Sequence, residues 1–185
     1  MGDEEVWLVR HGETEWSRDR RHTSSTDLPL TPQGEQLARE LSRRLDRSFD
    51  RVLTSPRRRA RDTAVLAGHP DAEPCEDLVE WDYGDYEGVT TPQIRETVPG
   101  WTVWTHPTPG GESPEQVRVR LDRVVDRLRA GGSSLLFGHA HALRALTARW
   151  LGLPVSEGRL FRLDTATVSV LGHERDQPVV LRWNA

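Results

Sequence analysis

Apolar residues in this chain come in short bursts separated by longer polar stretches, many of them with helical spacing. Val6-Trp7-Leu8-Val9 is an apolar run ending at Arg10-His11-Gly12 and reads as a buried strand. Residues 12–30 are polar without periodicity and read as a loop. Thr31-Pro32 then offers an N-cap and a proline at the first helical position, and Leu37, Leu41 and Leu45 follow on one helical face. Residues 51–54 suit a second strand, and Ser55-Pro56 is expected to cap the next helix, turning Ala60, Ala64 and Leu66 inward. Ser113-Pro114-Glu115-Gln116 has the form of a capping box. Val117, Leu121, Val124, Val125 and Leu128 supply that helix's apolar stripe, which Gly131-Gly132 ends. A buried strand over 134–137 leads to Gly138-His139, a helix follows over 141–151, and late strands are expected over 167–171 and 178–183.

Strand and helix alternate, so the expected fold class is α/β: a three-layer α/β/α sandwich with helices on both faces of a mostly parallel sheet. The 185 residues suit a single domain, 1–185. Residues 82–112 are rich in Pro, Gly and Trp with one short helical candidate at 93–97, and read as a lid or binding insertion. In an open parallel sheet ligands bind beyond the carboxyl ends of the strands. His11, Ser55 and His139 each follow such an end, so three segments deliver polar chemistry to one edge.

Composition narrows the field. The net charge of -4 lends no support to binding of nucleic acid or of an anionic membrane, and no apolar run approaches the ~20 residues of a membrane span. A lone cysteine, Cys75, and an acidic start with no apolar leader segment suggest the cytoplasm. All 25 basic residues are Arg, which excludes a P-loop lysine, a Schiff-base lysine and a lysine base.

Four segments carry candidate chemistry: Arg10-His11-Gly12-Glu13-Thr14, Ser55-Pro56-Arg57-Arg58-Arg59-Ala60-Arg61-Asp62-Thr63-Ala64, Glu80 within Glu80-Trp81-Asp82-Tyr83-Gly84-Asp85-Tyr86-Glu87-Gly88, and Gly138-His139-Ala140-His141. Each alone is compatible with a solvated turn or a structural histidine. Together and in this order they resemble the histidine phosphatase (phosphoglycerate-mutase-like) superfamily, from about residue 6 to 150. The stretch from Glu80 to Gly88 and the run Gly138 to Arg144 look most like short actinobacterial acid phosphatases and the fungal sedoheptulose-bisphosphatase group.

The resemblance implies a metal-independent phosphomonoesterase without a cofactor, acting on a small phosphate monoester. His11 would be the nucleophile, Arg10 and Arg59 would grip phosphate oxygens with planar forks, and a charged His139 would hold a third oxygen. Arg59, rather than Arg57 or Arg58, stands in the family's R-A-x-x-T position. Glu80 would be the general acid, then the base for water. Ser17, Thr23, the Ala140 N–H and His141 are candidate substrate contacts. Trp101 and Trp104 either stack on substrate or anchor the lid.

Rival readings have less to stand on. His139-Ala140-His141 could belong to a metal-dependent hydrolase, but no carboxylate is near in sequence and Arg144 follows closely. Cys75 lacks the Cys-x5-Arg partner of a cysteine phosphatase, since Trp81 occupies that place. A non-catalytic phosphate-binding module would have lost the histidine or the acid. A cofactor-dependent phosphoglycerate mutase is the alternative within the family. It needs cations for a substrate carboxylate in the segment after the acid, where this chain has only Arg95 and His106. An edge formed by the late strands offers a pairing surface for a homodimer.

Overall fold

In a computed structural model, which describes residues 5–185, strand β1 (Val6–Arg10) runs parallel to β4 (Ser134–Gly138), and β4 runs parallel to β2 (Arg51–Thr54). A two-residue β3 (Glu73–Pro74) extends this parallel half, while β5 (Val168–Glu174) and β6 (Gln177–Arg182) add an antiparallel edge beside β1. The six strands lie in the order β3-β2-β4-β1-β5-β6. The acidic N-terminal residues 1–4, on which the absence of a leader was argued, lie outside the described residues. No helix among the described residues is long and apolar enough to cross a membrane.

Period-two alternation of the strands divides the core between the two faces. Val6 and Leu8 of β1, Leu136 of β4 and Leu171 of β5 turn to one side. There they meet Val117, Leu121, Val124, Val125 and Leu128 of a long helix and Leu143 and Leu146 of the helix after β4. Val9, Leu135, Phe137, Val168 and Val170 turn to the other side, against Leu41, Leu45, Ala64 and Ala67. The helices in chain order are α1 (Glu15–Arg18), α2 (Pro32–Glu40), α3 (Arg58–Leu66), α4 (Thr91–Thr97), α5 (Pro114–Arg129) and α6 (Ala140–Trp150). The expected three-layer sandwich is the observed one.

Local chemistry accounts for most helix ends. Thr31 caps α2 through the Gly34 N–H, and Ser113 with Gln116 closes the expected capping box of α5. The short α1 interrupts what reads as a loop. A reciprocal Thr14–Ser17 box builds it, and four residues are too few to leave an apolar period. Ser55 is not the N-cap: Arg57 occupies that place in α3 with no side-chain bond, while the Ser55 hydroxyl pairs with His139 Nε2 and accepts from Arg57 N–H at 3.4 Å.

Candidate active site

The strand order puts the carboxyl ends of β1, β4 and β2 side by side, and the ladder runs on into the residues beyond them. His11 N–H donates to Gly138 O (3.0 Å) and Ser55 N–H to Phe137 O (2.9 Å). His11, His139 and the start of α3 are therefore held by backbone, before any side chain matters. The turn at Gly12 packs on α2 so closely that a Cβ there would lie 2.6 Å from Gly34 O, which is why glycine follows the histidine. Gly12 N–H also donates to Thr63 Oγ1 (2.9 Å), and Thr63 Oγ1 to Arg59 O (2.7 Å), tying this turn to α3.

The two imidazoles of His11 and His139 lie with ring centroids 5.2 Å apart. His11 Nδ1 is 2.7 Å from Gly12 O. A carbonyl only accepts, so Nδ1 carries the proton and Nε2 is the free lone pair. Burial, then the Arg59 and Arg10 guanidiniums, hold His11 well below the ordinary histidine range. The ring is thus neutral, the state a nucleophile needs. Burial, Arg59 and His11 act on His139 in the same direction. These neighbours disfavour a charge on His139 while no anion is bound. Its Nε2 pairs with Ser55 Oγ at 2.8 Å.

Arg59 is fully buried, and its terminal nitrogens donate to Thr26 O (3.1 Å), Thr23 O (3.1 Å) and Ser24 O (3.2 Å). Arg10 donates to Leu163 O at 2.6 Å. Among the described residues the buried side-chain nitrogens without a partner are Arg10 Nε, Arg57 Nε, Arg59 Nε and His139 Nδ1. Buried donors are almost always satisfied, so a cluster of orphans is an invitation to an anion. Three of the four belong to residues singled out from sequence.

Glu80 is 5% exposed and occupies the N-terminus of α6. Its Oε1 accepts from Trp81 N–H (2.9 Å) and Ala142 N–H (2.8 Å), and its Oε2 from His141 N–H (3.1 Å). The carboxylate takes two orphan donors of the helix, favourably placed at the positive end of its dipole. The N–H offered to a bound anion at this end is accordingly that of Ala140.

A cleft of about 520 Å³ is lined by Arg10, His11, Glu80 and Ala140, whereas the fully buried Arg59 and His139 do not line it. Ser17, Thr23 and His141 line it as expected, although Ser17 Oγ is committed to the α1 capping box and Thr23 Oγ1 donates to Arg21 O. Trp101 and Trp104 do not line it: their indoles are 1% and 8% exposed. Trp101 Nε1 donates to Pro107 O, and Trp104 packs edge-on to Trp81 and His141. They are core residues of the 82–112 segment, so of the two roles left open for them the substrate contact is withdrawn and the anchoring one remains.

Sequence reasoning missed three residues. Tyr83 lies 2.6 Å from His141 Nδ1 through its hydroxyl. Burial and the nearby Glu80 push Tyr83 well above the ordinary tyrosine range, so the phenol keeps its proton beside Glu80 and His141. Glu87 accepts from Ser24 N–H, Ser24 Oγ–H (2.6 Å) and Thr26 N–H (3.0 Å), the segment whose carbonyls aim Arg59. Arg144 reaches the cleft from α6. Tyr83 and Glu87 both lie in the stretch from Glu80 to Gly88 singled out from sequence.

A model of the histidine phosphatase superfamily (branch 1) matches residues 6–185. The chain belongs to that superfamily. It is 47% identical to an acid phosphatase of Mycobacterium tuberculosis over 173 residues, covering 90% of this chain and 85% of that protein. It is 35% identical to the sedoheptulose 1,7-bisphosphatase of Saccharomyces cerevisiae, covering 81% and 68% of the two chains. The solved structure of the Mycobacterium tuberculosis Rv3214 product superposes with a TM-score of 0.93 at 42% identity, over 97% of this chain and 96% of that one.

Proposed function

We propose that this chain is a metal-independent phosphomonoesterase that passes a phosphoryl group to His11 Nε2 and then to water. The observation that carries the reading is the locked, neutral His11 facing unsatisfied nitrogens of Arg10, Arg59 and His139. In the first half-reaction Nε2 attacks phosphorus, the N–P bond forms and the ester P–O bond breaks. The electron pair leaves on the alkoxide, and Glu80 supplies its proton. In the second, Glu80 takes a proton from water as that oxygen attacks, the N–P bond breaks, and inorganic phosphate is released. The guanidiniums and His139 meet the charge on the non-bridging oxygens, where preorganised donors are most effective. Ser17, Thr23, the Ala140 N–H and the His141 imidazole, which line the cleft, are the proposed contacts to the ester or its phosphate.

Hydrolysis is preferred to mutase chemistry because the acid phosphatase and the bisphosphatase are 47% and 35% identical to this chain, whereas relatives named probable phosphoglycerate mutase are 30% identical. The same reading takes residues 1–185 as one domain in the cytoplasm, with edge strand β6 as the pairing surface of a homodimer. The test is a screen of phosphate monoesters, with and without EDTA, assayed alongside isomerisation of 3-phosphoglycerate. Phosphate release that survives the chelator is expected. Isomerisation faster than phosphate release, or loss of activity to EDTA, would overturn the reading.

A further inference from the structure

Glu80 stands on a segment with no regular structure of its own: residues 79–83 join the turn Glu76–Leu78 to the turn Gly84–Tyr86 and take no part in the sheet. Buried backbone groups must still find partners. Those flanking Glu80 find them in two side chains outside the cleft. Arg120, on α5, is 7% exposed. Its Nη1 donates to Asp77 O (2.8 Å) and Val79 O (2.9 Å), on the N-terminal side of Glu80. Its Nε and Nη2 grip the Glu112 carboxylate with two bonds, of 2.7 and 2.9 Å. Glu112 closes the clamp from the other side. Its Oε2 accepts from Asp82 N–H (3.0 Å), its N–H donates to Asp82 O (3.0 Å), and its carbonyl accepts from Trp81 Nε1 (3.0 Å). One ion pair thus holds the residues on both sides of Glu80, and neither member lines the cleft.

The arrangement is more exacting than stability requires. Taking two charges out of water is costly, and an apolar pair of similar volume is often as stable in such a place. An apolar pair cannot bond two carbonyls and an N–H on either side of one residue. The approach is also close. A Cβ on Gly111 would fall 2.2 Å from Asp82 O, so only glycine lets the loop leading to Glu112 lie against the segment of Glu80. The His141 and Ala142 N–H groups orient the Glu80 carboxylate, while the clamp fixes the backbone from which it springs.

We propose that Glu112 and Arg120 are positioning residues for the general acid: the pair fixes the peptide groups around Glu80 so that its carboxyl meets the leaving oxygen of the ester. The proposal rests on the reading of Glu80 as the acid and extends it beyond the cleft. It adds no chemical step, since the proton still passes from Glu80 to the departing oxygen. A misplacement of about 1 Å is enough to cost a positioned group much of its effect. Esters whose leaving oxygen departs without a proton hardly depend on the clamp.

The experiment compares kcat/KM for an alkyl ester, glycerol 3-phosphate, with that for an aryl ester, 4-nitrophenyl phosphate, in the wild type, Glu80→Gln, Glu112→Gln and Arg120→Met. The ratio of the two constants within one preparation does not depend on how much of the protein is folded, so a loss of stability alone leaves it unchanged. Glu112→Gln keeps the size of the side chain but turns an amide NH2 towards either Arg120 or the Asp82 N–H. Both clamp variants should lower the alkyl-to-aryl ratio by about tenfold, in the direction of Glu80→Gln. Added to Glu80→Gln, Glu112→Gln should change the ratio by less than about twofold more, because both act through one carboxyl. A wild-type ratio in either folded clamp variant beside a lowered one in Glu80→Gln, or fully additive lowering in the double variant, overturns the positioning role and leaves the phosphatase reading intact. Should Arg120→Met give no folded protein, the Glu112→Gln ratio decides alone. An unchanged ratio in Glu80→Gln itself removes the acid and the positioning role with it, and no phosphate release from either ester by the wild type defeats the phosphatase reading as well.

Discussion

The reactive groups and their neighbours on the cleft are positioned by different means. Arg10 and His11 at β1, His139 after β4 and Arg59 in the first turn of α3 leave the backbone within one or two residues of an element's end. Arg144 instead leaves α6 a turn further on and is held by Gly158 O and the Trp104 ring, Tyr83 pairs with His141, and Arg20 and Arg21 lie on the loop between α1 and Thr23. The first set inherits its geometry from the sheet and cannot be altered without altering the fold. The second depends on loops and on side-chain packing.

That division can be broken by experiment. The largest effect is expected at Glu80, where Glu80→Gln should lower kcat by about 10²–10⁴ for alkyl esters and much less for aryl esters with good leaving groups. Equal losses on both would remove Glu80 from the role of acid. Next comes Arg59→Ala, which should cost about 3 kcal/mol of transition-state stabilisation in kcat/KM. A loss under threefold would mean that Arg59 only braces the 23–26 segment. Glu87→Gln sharpens the point, because Glu87 holds that segment's N–H groups while Arg59 holds its carbonyls. It should weaken inhibition by inorganic phosphate by about tenfold in the wild type and hardly at all in an Arg59→Ala background, since coupled residues are not additive. Additive losses would make Glu87 a stability residue alone.

The smallest effect is in the pH profile. Burial, Arg59 and Arg10 hold His11 below the ordinary value of 6.5, so the acidic limb of kcat/KM should lie below that pH and move upward in Arg59→Ala. A limb at or above 6.5 in the wild type contradicts the neutral nucleophile. The same shifts act on stability. His11, His22, His139 and His141 are all lowered in the fold, so below about 6.5 the unfolded chain binds protons that the native state does not, and stability falls as pH drops.

What could be read from sequence follows the same line. The strands, the Ser113 capping box and the four catalytic segments depend on neighbours within a few residues, and they were legible. The one-turn α1 and the two-residue β3 were too short to leave a pattern. Ser55 looked like a helix cap because its partner, His139, is 84 residues away. Burial and the approach of Arg59 and His11, which act on the charge of His139, are properties of the packed site and not of the Gly-His-Ala-His stretch. Trp101 and Trp104 are apolar side chains in a segment that looks like a loop, and only the fold shows that this segment helps close the larger core. Arg144 was legible as a charge but not as a cleft residue, since nothing local reports the Trp104 platform beneath it.

The central claim concerns one nitrogen atom, and rapid-quench trapping with ³²P-labelled substrate followed by peptide mapping tests it most directly. An acid-labile phosphoryl group on Nε2 of His11, formed at a rate at least equal to turnover and absent from His11→Ala, is the expected result. Label on another residue, or steady turnover with no phosphoenzyme at any time, would contradict the account.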